Sequence, residues 1–208
     1  MNSSEIFDEK AKEWDKHPVI NENCRIFTEE IRKNISLSSD MNLLEFGCGT
    51  GLVSMNFYSS VRSLIMTDTS QGMLDVLKQK IKHNNINNME LHCEDIFNLE
   101  LPKQHFDLIY TLMALHHVAD IKELLDRFHK LLKPGGYFCI GDLEPEDGSF
   151  HGDESSVHNG FDTSELKNTV EETGFEVTKA YRMHIMKKPD ADGNLREYPM
   201  FFMSAKSR

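Results

Sequence analysis

An open, mostly parallel α/β sheet is the fold class that this sequence predicts, on three observations. Short, uniformly apolar strand-like runs alternate with helical patterns between residues 41 and 143, a glycine-rich turn follows the first of them, and two strand-like runs come late in the sequence with only a hairpin-length loop between them. Strand and helix in turn require right-handed crossovers, hence a parallel sheet. The late pair has no crossover helix and is therefore expected to be antiparallel. The sum is a doubly wound, seven-stranded, mostly parallel sheet with an antiparallel last strand and helices on both faces.

The elements follow in order. Ser3 to Asp15 and Ile20 to Asn34 read as two helices separated by Pro18. Met41 to Phe46, Ser63 to Asp68, Met89 to Asp95, Phe106 to Leu112 and Gly136 to Leu143 read as strands, several too apolar for a sheet with one wet face. Between them, apolar residues at three- and four-residue spacing predict helices over Gly51 to Ser60, Ser70 to His83 and Ile121 to Leu132, the last ended by Lys133-Pro134-Gly135-Gly136. A long polar segment, Glu144 to Gly160, precedes a helix over Thr163 to Thr173 with Asp162 as its cap. Phe175 to Met183 and Tyr198 to Lys206 complete the strands.

Length and charge narrow the function. A chain of 208 residues suffices for one domain with a full core, and residues 1–208 are read as one. A formal net charge of −11 disfavours binding to a phosphate backbone, so nucleic acid is not an expected partner and a small molecule is. The first fifteen residues alternate in charge where a signal peptide needs an apolar segment, and no later run reaches membrane-spanning length. A cytoplasmic protein with no membrane insertion is expected. Cys24, Cys48, Cys93 and Cys139 are scattered singly, which predicts reduced thiols and no metal knuckle. No oligomeric state can be read.

The stretch LLEFGCGTG, Leu43 to Gly51, marks the ligand site. Parallel sheets bind ligands beyond the carboxyl ends of their strands, where a turn meets a helix N-terminus and bare amides can meet an anion. The glycines admit either a dinucleotide or S-adenosylmethionine, although Glu45-x-Gly47-x-Gly49-x-Gly51 has the spacing of the second more than the GxGxxG of the first. Asp68, with Thr69 after it, ends the second strand where a carboxylate can accept both hydroxyls of an adenosine ribose. Asp95 and Ile96 follow the third strand, suited to accept from an adenine amino group and to pack on its ring. Both aspartates also fit plain turn caps.

Together LLEFGCGTG, MTDTS, EDIF, FDLIYTLMALHHV and LLKPGGYFCIGD resemble the successive motifs of a class I S-adenosylmethionine-dependent methyltransferase, most closely the small-molecule type that includes the quinone-biosynthesis enzymes. The likeness is dense from Leu43 to Asp142 and implies the Rossmann-like methyltransferase fold. It implies that Glu45, Gly47, Gly49 and Gly51 line the methionine end of S-adenosylmethionine, that Asp68 holds the ribose, that Asp95 and Ile96 hold the adenine, that Tyr110 and Leu112 lie along the cofactor, and that Cys48 and Thr69 are further cofactor contacts. FDEKAKEWD resembles the helix that closes over the cofactor, so residues 3–34 are expected to cover it. Phe7 and Trp14, seven residues apart, share a face of that helix and either cover the cofactor or dock the helix onto the sheet.

Methyl transfer from a sulfonium needs alignment more than activation, so a base is optional. His116 and His117 follow the fourth strand, where the acceptor meets the methyl group, and are the candidate bases. Residues 144–160 are expected to form the substrate-side loop, with Asp142, Glu144, His151 and His158 as substrate contacts and Asp147, Asp153 and Glu154 nearby. No HxxxH or HExxH spacing is present, so no metal is expected. The rival readings are an NAD(P)-dependent oxidoreductase and a non-catalytic S-adenosylmethionine-binding protein.

Overall fold

The computed structural model describes residues 3–151, 158–189 and 193–208. Two helices come first, α1 (Ser3–Trp14) and α2 (Pro18–Asn34), with Pro18 in the opening turn of α2 where its missing N–H costs nothing. Then follow β1 (Asn42–Phe46), β2 (Ser63–Asp68), α3 (Gln71–His83), β3 (Met89–Cys93), β4 (Phe106–Leu112), α4 (Ile121–Leu131), β5 (Leu132–Leu143), α5 (Thr163–Glu172), β6 (Phe175–Pro189) and β7 (Leu195–Ser207). The cap residues do what their side chains allow. Ser70 accepts from the Met73 amide at the start of α3, Asp120 from Glu123 at α4, and Asp162 from Ser164 and Glu165 at α5.

The seven strands form one sheet in the order β3-β2-β1-β4-β5-β7-β6. The first five in that order pair in parallel, and β7 is antiparallel to both β5 and β6. Successive strand residues feed opposite faces: Leu44, Ile109 and Ile140 join the core under α4 and α5, while Leu43, Leu108 and Cys139 join the core under α2 and α3. Two buried faces explain why these strands are apolar without alternation. The order reverses on either side of β1, so a crevice opens beyond the carboxyl ends of β1 and β4.

Three segments depart from expectation. Gly51 to Ser60 forms two short 3-10 turns, Ser54–Asn56 and Tyr58–Ser60, instead of a helix. Its residues are mostly serine, asparagine, aromatic and valine, weak helix formers. Tertiary contacts then decide: Ser54 is drawn to Glu45 and Tyr110, Phe57 is fully buried, and Arg32 donates to the Asn56 carbonyl at 2.7 Å. β5 begins at Leu132, immediately after α4, and a register shift between Phe106 and Leu108 absorbs the Pro-Gly-Gly run, with Gly135 at φ +78°. The β6–β7 hairpin is longer than its apolar pattern, because Met186, Tyr198 and Met200 build a small core with Leu143 at the mouth of the crevice.

Candidate functional site

A cavity of about 1080 Å³ occupies the crevice. Pockets for single drug-sized ligands span roughly 300–1,000 Å³, so there is space for two small molecules side by side. One end is walled by the glycine turn, Asp68, Thr69, Asp95 and Ile96, and the other by His116, His117 and His151.

The glycine turn is tied to β2 by two amides, Gly47 and Cys48, which donate to the Thr67 carbonyl at 2.9 and 3.0 Å. All three glycines have left-handed φ, +67°, +52° and +76°. Their surroundings differ. A Cβ on Gly47 would stand 2.3 Å from the Ala114 Cβ, and one on Gly51 would stand 2.5 Å from Leu77 of α3, whereas the nearest atom to one on Gly49 is the Trp14 indole nitrogen at 3.9 Å. Gly47 therefore admits the loop after β4, Gly51 admits α3, and Gly49 alone faces open space. Gly51 accordingly lies outside the cavity wall, contrary to the expected cofactor role.

Asp68 links the turn to α3, accepting from the Gly49 amide at 2.7 Å through one oxygen and from the Ser70 amide at 2.9 Å through the other. Each oxygen keeps a second acceptor position. Burial raises the pKa of this carboxyl, and the two amides hold it back.

Helix α1 is strapped across the same loop at two points. Asp8 accepts from the Ser70 hydroxyl at 2.6 Å and the Gly72 amide at 2.7 Å, bonds that hold its pKa below the usual range. About two turns later, just past the end of α1, Asp15 accepts from the Thr50 hydroxyl at 2.5 Å and pairs with Lys80 at 2.5 Å. Between the straps Phe7 and Trp14 line the cavity, packed edge to face at 5.7 Å, and Phe7 reaches the His117 ring at 5.7 Å. Covering and docking are thus one arrangement.

On the third strand's side, Asp95 accepts from the Phe97 amide at 3.0 Å, the turn-cap geometry, while also lining the cavity beside the buried Ile96. Leu112 lines it at the end of β4, but Tyr110 does not. The Tyr110 ring is fully buried under Phe57, its hydroxyl bonded to Ser54, because it sits on the same face as Leu112 but two residues deeper in the sheet.

The histidines converge from two loops. His116 and His117 sit in a 3-10 turn, Leu115–His117, and His151 comes from the segment after β5. Ring centroids lie 4.3 Å apart for His116–His117, 4.8 Å for His116–His151 and 5.3 Å for His117–His151. Asp142, expected at the substrate mouth, is instead fully buried: its carboxylate meets His116 Nδ1 at 2.6 Å and accepts from the Leu143 amide at 2.8 Å. The segment folded over the end of β5 seals it in. Glu144 and His158 also lie off the cavity wall. Glu144 holds Arg182, and His158 bonds the Val118 carbonyl through its ring at 2.9 Å and the His116 carbonyl through its amide at 3.0 Å. Asp147 pairs with Arg196 at 3.0 Å, and Asp153 and Glu154 lie outside the described residues.

Residues 44–140 match a family profile described as a methyltransferase domain. Among curated relatives, an uncharacterized methyltransferase of Schizosaccharomyces pombe is 34% identical over 127 residues, covering 57% of this chain and 44% of that protein. A mitochondrial ubiquinone biosynthesis O-methyltransferase of Dictyostelium discoideum is 26% identical over 132 residues, covering 57% and 41%. The alignments therefore span less than half the length of these curated relatives. A SAM dependent methyltransferase of Aquifex aeolicus shares the fold, with a TM-score of 0.71 at 18% identity over 97% of this chain and 98% of that one. Among the described residues no helix is long and apolar enough to cross a membrane.

Two features of the cavity escaped the motif reading. Met113 lines the cavity with φ +54°, a conformation that costs a non-glycine residue about 1 kcal/mol and is pinned by its amide bond to the Gly141 carbonyl at 2.8 Å. Met186 and Lys188 reach the cavity from the long hairpin. Only the extension of β6 past its apolar pattern could have signalled them. Glu45 is the third notable group. Buried against Ser54 and Tyr110, its carboxyl is pushed up to about 8, chiefly by desolvation. A raised carboxyl favours the fold below the unfolded pKa near 4.5 and withdraws that support as pH rises toward 8. Without ligand the chain should lose roughly 4 kcal/mol of stability over this window from Glu45 alone. Denaturant midpoints between pH 5 and pH 8, flatter in Glu45→Gln than in the parent, would show it.

Proposed function

We propose that this chain is an S-adenosylmethionine-dependent methyltransferase acting on a small-molecule acceptor. The observation that carries the reading is that one continuous cavity runs from the carboxylates beside the glycine turn to the imidazoles beyond β4. The wall at its first end fits the cofactor. Gly49 leaves the space a side chain would fill, Asp68 has spare acceptor positions for two ribose hydroxyls, and Asp95 with Ile96 offers an acceptor and an apolar face. The buried Glu45 carboxyl lines the same end and is matched to an ammonium group, whose approach would ionise it.

When bound, the cofactor supplies an activated methyl group on a sulfonium. The protein's share is then alignment and exclusion of water. Phe7 and Trp14 of the strapped helix α1 close one side, and Phe150 and Met186 close the other. His116, oriented by Asp142 through Nδ1, keeps a lone pair at Nε2, and His117 lies beside it at the acceptor end. Residues 3–34 thus serve as cover, and Phe150 and His151, from the segment after β5, stand on the substrate side. A relative named for O-methylation in ubiquinone biosynthesis supports a small acceptor, and the net charge of −11 disfavours a nucleic acid. An NAD(P) reading is disfavoured by the glycine spacing and by β7 lying antiparallel between β5 and β6.

The test is turnover on phenols, catechols, amines and thiols, read as one added methylene per acceptor with matching S-adenosylhomocysteine. Product with any of them is the expected result. Cofactor binding with no product from the whole panel would favour a non-catalytic binding protein.

A further inference from the structure

We propose that His116, His117 and His151 form a site for one divalent transition-metal ion of the zinc or cobalt type, and that its open coordination position takes a hydroxyl oxygen of the methyl acceptor. The proposal rests on the methyltransferase reading for the identity of the second ligand, and on this chain's geometry for the ion.

Each of the three histidines can offer one ring nitrogen, and these nitrogens lie within 4.8 Å of one another. Small side-chain adjustments bring such a set onto one ion, with metal–nitrogen bonds of about 2.0–2.1 Å. Imidazole is the ligand type that zinc, cobalt and nickel prefer over magnesium or calcium. The arrangement behind the ligands is also that of a metal centre. Asp142 is fully buried and accepts from His116 Nδ1 at 2.6 Å, which fixes the proton there and leaves Nε2 as the ligand atom, the carboxylate–histidine–metal pattern.

His151 is held in place rather than left to a mobile loop. Its neighbour Phe150 donates its amide to Glu146 at 3.0 Å, accepts from Lys188 Nζ at 2.5 Å and packs its ring on Tyr198 at 5.2 Å. The Lys188 ammonium also lies over the Phe150 ring at 4.5 Å, a second tie between this segment and the hairpin. Three protein nitrogens plus an open position facing a cavity is the composition of a catalytic site, whereas a structural ion has four protein ligands. No spacing in the sequence announces it, because the ligands come from the ends of two different strands.

The chemistry follows from the open position. A hydroxyl oxygen bound to the ion loses its proton to solvent at neutral pH, because the ion lowers its pKa. A lone pair of that oxygen then bonds to the methyl carbon while the carbon–sulfur bond breaks, its electron pair passing to sulfur. Sulfonium becomes neutral thioether, one proton has been released, and the metal keeps its oxidation state.

The experiment titrates the full chain, stripped of metal, with cobalt(II) and follows its visible ligand-field bands. One equivalent should produce them, and catechol should shift them. His151→Ala should weaken cobalt binding about 100-fold and Asp142→Asn by at least 10-fold, the range for losing metal-centre partners. S-adenosylhomocysteine affinity measured on His151→Ala should equal the parent's, which shows that the variant is folded. Absence of bands, or equal cobalt affinity in His151→Ala and the parent, overturns the metal site. Bands that ignore catechol overturn the acceptor-oxygen part. Cobalt binding in a chain that does not bind S-adenosylhomocysteine leaves the metal site standing and removes the methyltransferase reading.

Discussion

Asp68→Ala should bind S-adenosylhomocysteine about 100-fold more weakly than the parent, because the variant lacks a charged acceptor for two hydroxyls at once. Hydrogen bonds to a charged group contribute roughly 1.5–3 kcal/mol each, and about 2.7 kcal/mol corresponds to the 100-fold loss. Part of the effect is indirect. Asp68 accepts from the Gly49 and Ser70 amides, so its removal also frees the turn that faces the cofactor. Asp68→Asn separates the two contributions. The amide keeps one acceptor oxygen for a backbone amide but offers two N–H donors where the other oxygen stood, and it should fall closer to alanine than to the parent. Calorimetric titration of both variants measures this, and affinity within twofold of the parent in Asp68→Ala would remove the residue from the cofactor site.

The glycine turn yields the second large effect, as a contrast between two neighbouring substitutions. Gly47→Ala places a methyl group 2.3 Å from the Ala114 Cβ at a φ of +67°. Overpacking of about 1–3 kcal/mol adds to a left-handed penalty of about 1–2 kcal/mol, so the chain should lose roughly 3 kcal/mol of stability. Gly49→Ala has a similar φ, +52°, but meets nothing nearer than 3.9 Å. It should lose only about 1 kcal/mol while losing most cofactor affinity, since its methyl enters the space opposite Trp14. Denaturation and titration of both variants check the crossed pattern. Equal losses of stability would mean that the three glycines share one role.

That contrast shows where sequence legibility ends. The GxGxG spacing locates the turn, and the alternation of strand and helix yields the sheet with its antiparallel hairpin. Which glycine faces the cavity depends on Ala114 and Leu77, residues distant in sequence whose approach no local pattern encodes. The same holds for Asp142. A carboxylate at the end of a strand reads as a ligand group, and only the chain folded over β5 converts it into a buried partner for His116. Tyr110 went to the core because Phe57, from the turns after β1, covers its face of the sheet two residues short of the strand end where Leu112 reaches the cavity. Gly51 to Ser60 lost its helix to Ser54 and Phe57, whose burial outweighs a weak helical pattern. Long, strongly periodic elements were legible, and contacts between separate loops were not.

The central claim is that the cavity beyond β1 and β4 takes S-adenosylmethionine, and calorimetric titration of the parent with S-adenosylhomocysteine and, separately, with NADH tests it most directly. Micromolar binding of S-adenosylhomocysteine with no heat from NADH is the predicted result. Binding of NADH alone would contradict the account and assign the glycine turn and Asp68 to a dinucleotide.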